Sequence, residues 1–189
     1  MVHARAFLLF SVSVILSAVL CGCTDKEQAA QLAAQAEELA ALKAQDATEQ
    51  ANLANFDDLD FNVFSGQKWE DLGKSHHRDI VVHWPDGHST TGIDVHTEDL
   101  KKMFVYAPDT RIKEHPVKIA QGEWTAVMGV MEGTFTQPMP AAHGKTIAPT
   151  GKAFRLPMAT IGRWANGVMV EEYLYWDNAA FMQQIGLTP

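Results

Sequence analysis

The chain has 189 residues, 47% hydrophobic and 20% charged, and 23 acidic against 15 basic residues leave a formal charge of −8. This describes one well-buried globular domain. No Lys/Arg run or basic helix face interrupts the acidic balance, which excludes nucleic acid as a partner.

His3 and Arg5 precede an apolar run, Ala6 to Leu20, that is short for a membrane span, so residues 1–22 read as a secretory signal. Leu20-Cys21-Gly22-Cys23 resembles a bacterial lipobox, with Cys23 the expected lipidation site; acylation at Cys21 and plain signal cleavage remain alternatives. By resemblance to lipoprotein sorting rules, Thr24 favours the outer membrane, facing the periplasm. A mature chain starting at Cys23 has no other cysteine, which removes disulfides and Cys-ligated metals together.

Residues 23–52 are rich in Ala, Gln and Glu and, from Asp25 on, lack Gly, Pro and aromatics, the composition of a helix with little core to bury. Leu32, Leu39, Leu42, Leu53 and Phe56 follow a heptad spacing, but Asp46 and Glu49 interrupt the seam of a coiled coil. We read a helical spacer, extending about 1.5 Å per residue where helical, with self-association through it a minor alternative.

The globular domain is expected over 53–189. Phe56, Leu59, Phe61, Val63, Phe64, Trp69 and Leu72 recur on a helical period, broken at Ser65-Gly66, which predicts two helices ending near Ser75. A strand follows over Asp79–Trp84, closed by Pro85-Asp86-Gly87, then a helix over Ile93–Tyr106 that stops before Pro108. Strands are predicted over Arg111–Ile119, Glu123–Phe135, Ala153–Trp164 and Val168–Asp177, with a loop over Gln137–Lys152 and a sharp hairpin at Ala165-Asn166-Gly167. Helices followed by an antiparallel meander give an α+β fold, with a curved sheet wrapped around the helices as a cone.

In the last strand, strict alternation puts Met169, Glu171, Tyr173, Tyr175 and Asp177 on one face and Val168, Val170, Glu172, Leu174 and Trp176 on the other. Two carboxylates and two phenols on one face fit either a cavity lining or a solvent-facing surface.

The domain resembles the SnoaL-like polyketide cyclase family, also described as ester cyclases, within the nuclear transport factor 2-like superfold. The matching residues are His83-Trp84-Pro85-Asp86-Gly87, Gly92-Ile93, Met131-Glu132-Gly133-Thr134-Phe135, Pro149-Thr150-Gly151-Lys152, Glu171-Glu172-Tyr173, Trp176-Asp177 and Gln184-Ile185-Gly186. The resemblance covers about Leu53 to Leu187. It implies a cone-shaped α+β barrel with a deep apolar pocket and, in the true cyclases, an aspartate that closes an aldol ring without metal or cofactor.

Asp177 is the position that matches this aspartate, and one buried carboxyl can both remove a proton alpha to a carbonyl and reprotonate the alkoxide. Asp177 also suits the N-cap of the helix that follows. Tyr173 and Tyr175, which could orient a substrate carbonyl, and His83, as a general acid or substrate donor, are the remaining catalytic candidates; the alternatives are ordinary sheet aromatics and, favoured for His83, a hydrogen-bonded structural histidine. Trp84, Phe104, Trp124, Glu132, Phe154 and Glu171 are the expected pocket residues. Glu132, in an apolar strand, needs a partner such as Arg155 or Arg163.

No metal or cofactor is expected. His76, His77, His83, His88 and His96 are close in sequence, but no HExxH or helical His pair joins them and the intervening elements change direction twice. No Gly-x-Ser-x-Gly elbow supports Ser/His/Asp hydrolysis. The expected activity is cofactor-independent lyase or isomerase chemistry on a small apolar carbonyl compound. The alternative is a non-catalytic module that binds an apolar ligand or forms a homodimer.

Overall fold

The computed structural model describes residues 25–187; the signal segment 1–22 and Cys23 lie outside them. No helix among the described residues is long and apolar enough to cross a membrane. Two compact units divide after Ala40. In the first, the described residues form the forward part of helix α1 (Asp25–Asp58), all of them exposed. That matches its composition, which is strong in helix propensity and poor in anything to bury.

The second unit starts with the rest of α1. Asn52, Leu53 and Phe56 are the helix's buried residues, and the break in its seam has a cause. Glu49 reaches across to accept a hydrogen bond from the Gly122 backbone N–H at 2.6 Å. The helix then widens into a π-helical segment, Leu59–Phe64, and after a break a 3-10 turn follows over Trp69–Lys74. The two helices expected here are therefore one long helix, a wide turn and a short one. Wide turns of this kind cluster at functional sites, and this one carries Asp60.

The strands are β1 (His76–His83), β2 (Ser89–Thr91), β3 (Arg111–Ile112), β4 (Val117–Gln121), β5 (Trp124–Thr134), the small hairpin β6 (Met139–Pro140) and β7 (Thr146–Ile147), β8 (Ala153–Ala165) and β9 (Val168–Trp176), with helices α2 (Ile93–Tyr106) and α3 (Asn178–Gln184). The main sheet runs β2-β1-β9-β8-β5-β3, with β4 also paired to β5. The α+β class and the curved sheet around helices stand, with two corrections. The sheet is mixed, because β1 docks parallel to β9, and β2 at one end does not pair with the other end, so it is an open sheet and not a closed barrel. The β8–β9 hairpin turns at Asn166 and Gly167, both at positive φ, as a tight two-residue turn requires.

One irregularity decides which side chains face inward. Arg163 pairs with Glu171 but the next residue, Trp164, pairs with Met169, so Val170 is an extra residue on β9. Such a bulge inverts the alternation beyond it. Met169 is buried before the bulge; after it Glu172 and Leu174 are buried, while Glu171, Tyr173 and Tyr175 turn to the opposite face.

The core lies on the concave side. Phe56, Leu59 and Phe64 meet Leu100 and Phe104 of α2, Ile80 and Val82 of β1, and Leu156 and Trp164 of β8. Close to the bulge, Gly162 leaves room for Met169: a Cβ there would sit 2.5 Å from the Met169 sulfur and 3.2 Å from Thr125 Oγ1. Because Met169 is fully buried, it has nowhere to retreat. Gly162→Ala is expected to lower the unfolding free energy by about 1–3 kcal/mol through overpacking. A urea midpoint equal to that of the parent would contradict this packing.

Candidate functional site

The bulge sends Glu171, Tyr173 and Tyr175 away from the cavity. Glu171 accepts hydrogen bonds from Tyr173 Oη at 2.8 Å and Arg163 Nε at 3.0 Å, and its Oε1 lies 3.2 Å from His83 Nε2. His83 stacks on Tyr173 with ring centroids 4.2 Å apart, and its Nδ1 lies 2.8 Å from Ser89 Oγ. The bond from Tyr173, then that from Arg163, holds the Glu171 carboxyl below the usual carboxylate range. This is a solvent-side polar cluster, a correction to the expectation of a pocket lining.

Tyr175 and Trp124 share this face and are 53% and 42% exposed. Glu132 is also on the outside. Its partners are Arg111 Nε and Lys113 Nζ, each at 2.9 Å, while Arg155 pairs with Glu114 and Arg163 with Glu171. Asp177 is the N-cap of α3, accepting from the backbone N–H groups of Ala179 at 2.8 Å and Ala180 at 3.0 Å. It is exposed and does not line the interior cavity, so the capping alternative describes its contacts. Phe104 packs on Phe64 and Trp69, and Phe154 on Phe181; both belong to the core. Only Trp84 of the predicted set lines the interior cavity.

That cavity has a volume of about 40 Å³, space for about three waters. A second depression of about 120 Å³ adjoins it, sharing Trp84, Met103, Met131 and Trp176. Apolar side chains such as Leu59, Phe64, Met158 and Leu174 make up most of the wall, and four titratable groups interrupt it: Asp60, His76, His96 and Glu172. His76 comes from the start of β1, His96 from α2, Glu172 from β9 and Asp60 from the wide turn. The expectation that changes of direction keep the histidines apart therefore fails for two of the five, because α2 folds back against β1.

Within this cluster, His96 Nε2 lies 3.4 Å and His76 Nε2 3.7 Å from Glu172 Oε2, and the two imidazole centroids are 5.1 Å apart. Burial pushes His96 down to about 4, which leaves it neutral at pH 7. For Glu172, burial pushes the carboxyl up, but the facing imidazoles of His76 and His96 outweigh it and leave it below the usual range. Asp60 goes the other way: burial raises its carboxyl, offset only in part by its bond to His115.

His115, unmarked by any motif in the sequence, links the cavity to the surface. Its Nε2 lies 2.8 Å from Asp60 Oδ2, its Nδ1 lies 2.7 Å from Asp57 Oδ1, and Lys118 Nζ donates to Asp57 Oδ2 at 2.6 Å. With a carboxylate at each ring nitrogen, both nitrogens act as donors and the ring is an imidazolium. Burial lowers His115, but the bonds to Asp60 and Asp57 outweigh it and raise it above its ordinary 6.5.

A family model for the SnoaL-like polyketide cyclase matches residues 58–185. No curated protein sequence matches the chain. Solved structures do. A candidate SnoaL-like polyketide cyclase from Jannaschia sp. CCS1 is 18% identical, with a TM-score of 0.64 over 75% of this chain and 95% of its own. IdmH, a candidate polyketide cyclase from Streptomyces antibioticus, is 21% identical, with a TM-score of 0.61 over 71% of this chain and 98% of its own. AclR, a candidate hydroxylase from Streptomyces galilaeus, is 16% identical, with a TM-score of 0.62 over 75% of this chain and 84% of its own. At these identities the likeness establishes the fold, which carries more than one named activity.

Two outcomes check the geometry. Asp177→Ala removes the cap of α3 and is expected to cost about 1 kcal/mol of stability; a variant as stable as the parent in urea would contradict the capping role. His115, raised in the folded state, stabilises fully below its unfolded value and loses that contribution as pH rises through its folded value. The stability difference between the parent and His115→Ala should therefore be larger at about pH 6 than at about pH 9. A difference that does not vary with pH would contradict the imidazolium.

Proposed function

Because the chain belongs to the SnoaL-like polyketide cyclase family, we propose that it is an acid/base enzyme, a lyase or isomerase that acts on a small apolar carbonyl compound with its own side chains as proton carriers. The observation that supports this is the pair of carboxyls in one apolar cavity whose proton affinities are pushed in opposite directions, Glu172 down and Asp60 up. Groups separated in this way divide into base and acid.

In this reading Glu172, ionised, takes the proton alpha to the carbonyl, and the C–H electron pair moves to the carbonyl oxygen as an enolate. Asp60, whose proton affinity burial raises, relays the Nε2 proton of the His115 imidazolium to that oxygen. His115 then regains a proton from the surface side, where Asp57 faces its Nδ1. His76 and His96 pack against the Glu172 carboxylate and hold its position, and the apolar wall keeps water from competing. The small cavity favours a small substrate.

We also read residues 1–22 as a lipoprotein signal, with Cys23 anchoring the domain to the bacterial cell envelope and the outer membrane, facing the periplasm, as its expected place. A homodimer is the second reading of the partners. Val117, Met128, Ala159 and Tyr175 are register neighbours across β4, β5, β8 and β9, and Val117, Met128 and Tyr175 are exposed, an apolar row suited to a second copy.

The function is tested by incubating the protein in D2O with a panel of small cyclic ketones and following loss of the alpha-proton signals by NMR. The parent should exchange them faster than buffer, and Glu172→Gln should lose about 10²–10⁴-fold of that rate, while Asp177→Ala keeps it. Exchange at the buffer rate throughout the panel, or an unaffected Glu172→Gln, would overturn the proposal.

A further inference from the structure

Among the described residues, four buried polar side-chain atoms find no hydrogen-bond partner within the protein, and three of them, His76 Nε2, His96 Nδ1 and Glu172 Oε2, belong to one cluster. The tautomer of His76 sharpens the problem. Ser75 Oγ donates to the Leu72 carbonyl at 3.1 Å, so at 2.9 Å it accepts from His76 Nδ1. With the Nδ1 proton directed at Ser75, Nε2 turns its lone pair toward Glu172 Oε2, 3.7 Å away and with no hydrogen bond between them. For His96 no partner within the protein fixes the tautomer, so its Nε2 is free to present a lone pair to the same oxygen.

A cation held by His76 Nε2, His96 Nε2 and Glu172 Oε2 relieves the facing lone pairs, two of which belong to the unpartnered atoms, His76 Nε2 and Glu172 Oε2. We propose that His76, His96 and Glu172 form a binding site for a divalent transition-metal ion of the zinc class. The donor atoms all lie within 4.8 Å of one another, and the two imidazole nitrogens stand 3.7 and 3.4 Å from the carboxylate oxygen. A four-coordinate ion with ligands at about 2.0–2.1 Å separates them by about 3.3–3.4 Å along the tetrahedron edges. Small side-chain shifts therefore suffice to close the site.

The donor chemistry selects the ion. Two imidazoles and one carboxylate suit zinc, cobalt or iron, whereas calcium and magnesium require more oxygen ligands than this apolar wall supplies. The side chains are between 1% and 6% exposed, so the set is positioned by packing, and the Ser75–His76 bond is the kind of outer contact that fixes a ligating imidazole. Three protein donors leave a fourth position for a water.

The site overlaps the one used for proton transfer, but the inference does not rest on that reading, because it requires three lone pairs and no reaction. Where both hold, a bound ion takes the Glu172 lone pair that would remove the proton, and zinc inhibits the exchange reaction.

The test titrates cobalt(II) into the metal-free full chain carrying Cys21→Ser and Cys23→Ser, so that thiolates do not compete. One equivalent is expected to bind with the strong visible absorption of a four-coordinate ion and to be displaced by one equivalent of zinc. His96→Ala and Glu172→Gln should each abolish that spectrum, and Ser75→Ala should weaken binding about tenfold, with circular dichroism reporting that each variant is folded. Should a variant not fold, the spectrum of the unsubstituted site decides alone. A weak six-coordinate spectrum, or binding that survives His96→Ala and Glu172→Gln, would overturn the proposal by placing the ion on surface groups.

Discussion

A carboxylate withdrawn from water must be met by a positive group, a proton or hydrogen bonds. Glu172 is withdrawn in this way, at 4% exposure, and the elements around it are arranged to meet it. The parallel docking of β1 on β9 brings His76 close, the return of α2 against β1 brings His96, and the wide turn after α1 sets Asp60 in the same wall. Replacing this polar knot by apolar residues of equal volume would be expected to leave the fold intact or more stable, so packing alone does not account for it.

The apolar wall and the polar knot depend on each other. The wall raises the cost of every unpaired charge inside it, and so separates the proton affinities of Asp60 and Glu172 more than a wet surface would. On the convex side the same residue types behave differently. Glu171, with Tyr173, Arg163 and His83 around it, is partly open to solvent and fully partnered, leaving it no unmet demand. Two adjacent glutamates thus have opposite characters because strand alternation puts them on opposite faces, and the bulge decides which of the two faces inward.

Much of the fold was legible in the sequence. The alternation in β5 and β8, the positive-φ pair Asn166-Gly167 and the apolar stripe of α2 are local signals, and local signals survive folding. The parallel β1–β9 pairing and the open edge of the sheet depend on contacts distant in the chain. The bulge at Val170 is of that second kind: it exists only as a register step against β8, and without it the face of Glu171 and Tyr173 was open between a cavity lining and a solvent surface. A trace was present, since Glu172 stands as the one carboxylate in a row with Val170, Leu174 and Trp176, and a charge on an apolar row asks for a partner. His76 and His96 could be recognised as that partner only once α2 was packed on β1. Asp60 and His115 meet through the tertiary fold alone.

The proposed chemistry belongs to the inward face of β9 beyond the bulge and not to the face of Glu171 and Asp177. Carboxyl-selective carbon-13 NMR of the protein with a small cyclic ketone distinguishes the two faces. The side-chain carboxyl signals of Glu172 and Asp60 should move on addition of the ketone while those of Glu171 and Asp177 stay in place. Movement of Glu171 or Asp177 with Glu172 unchanged would contradict it.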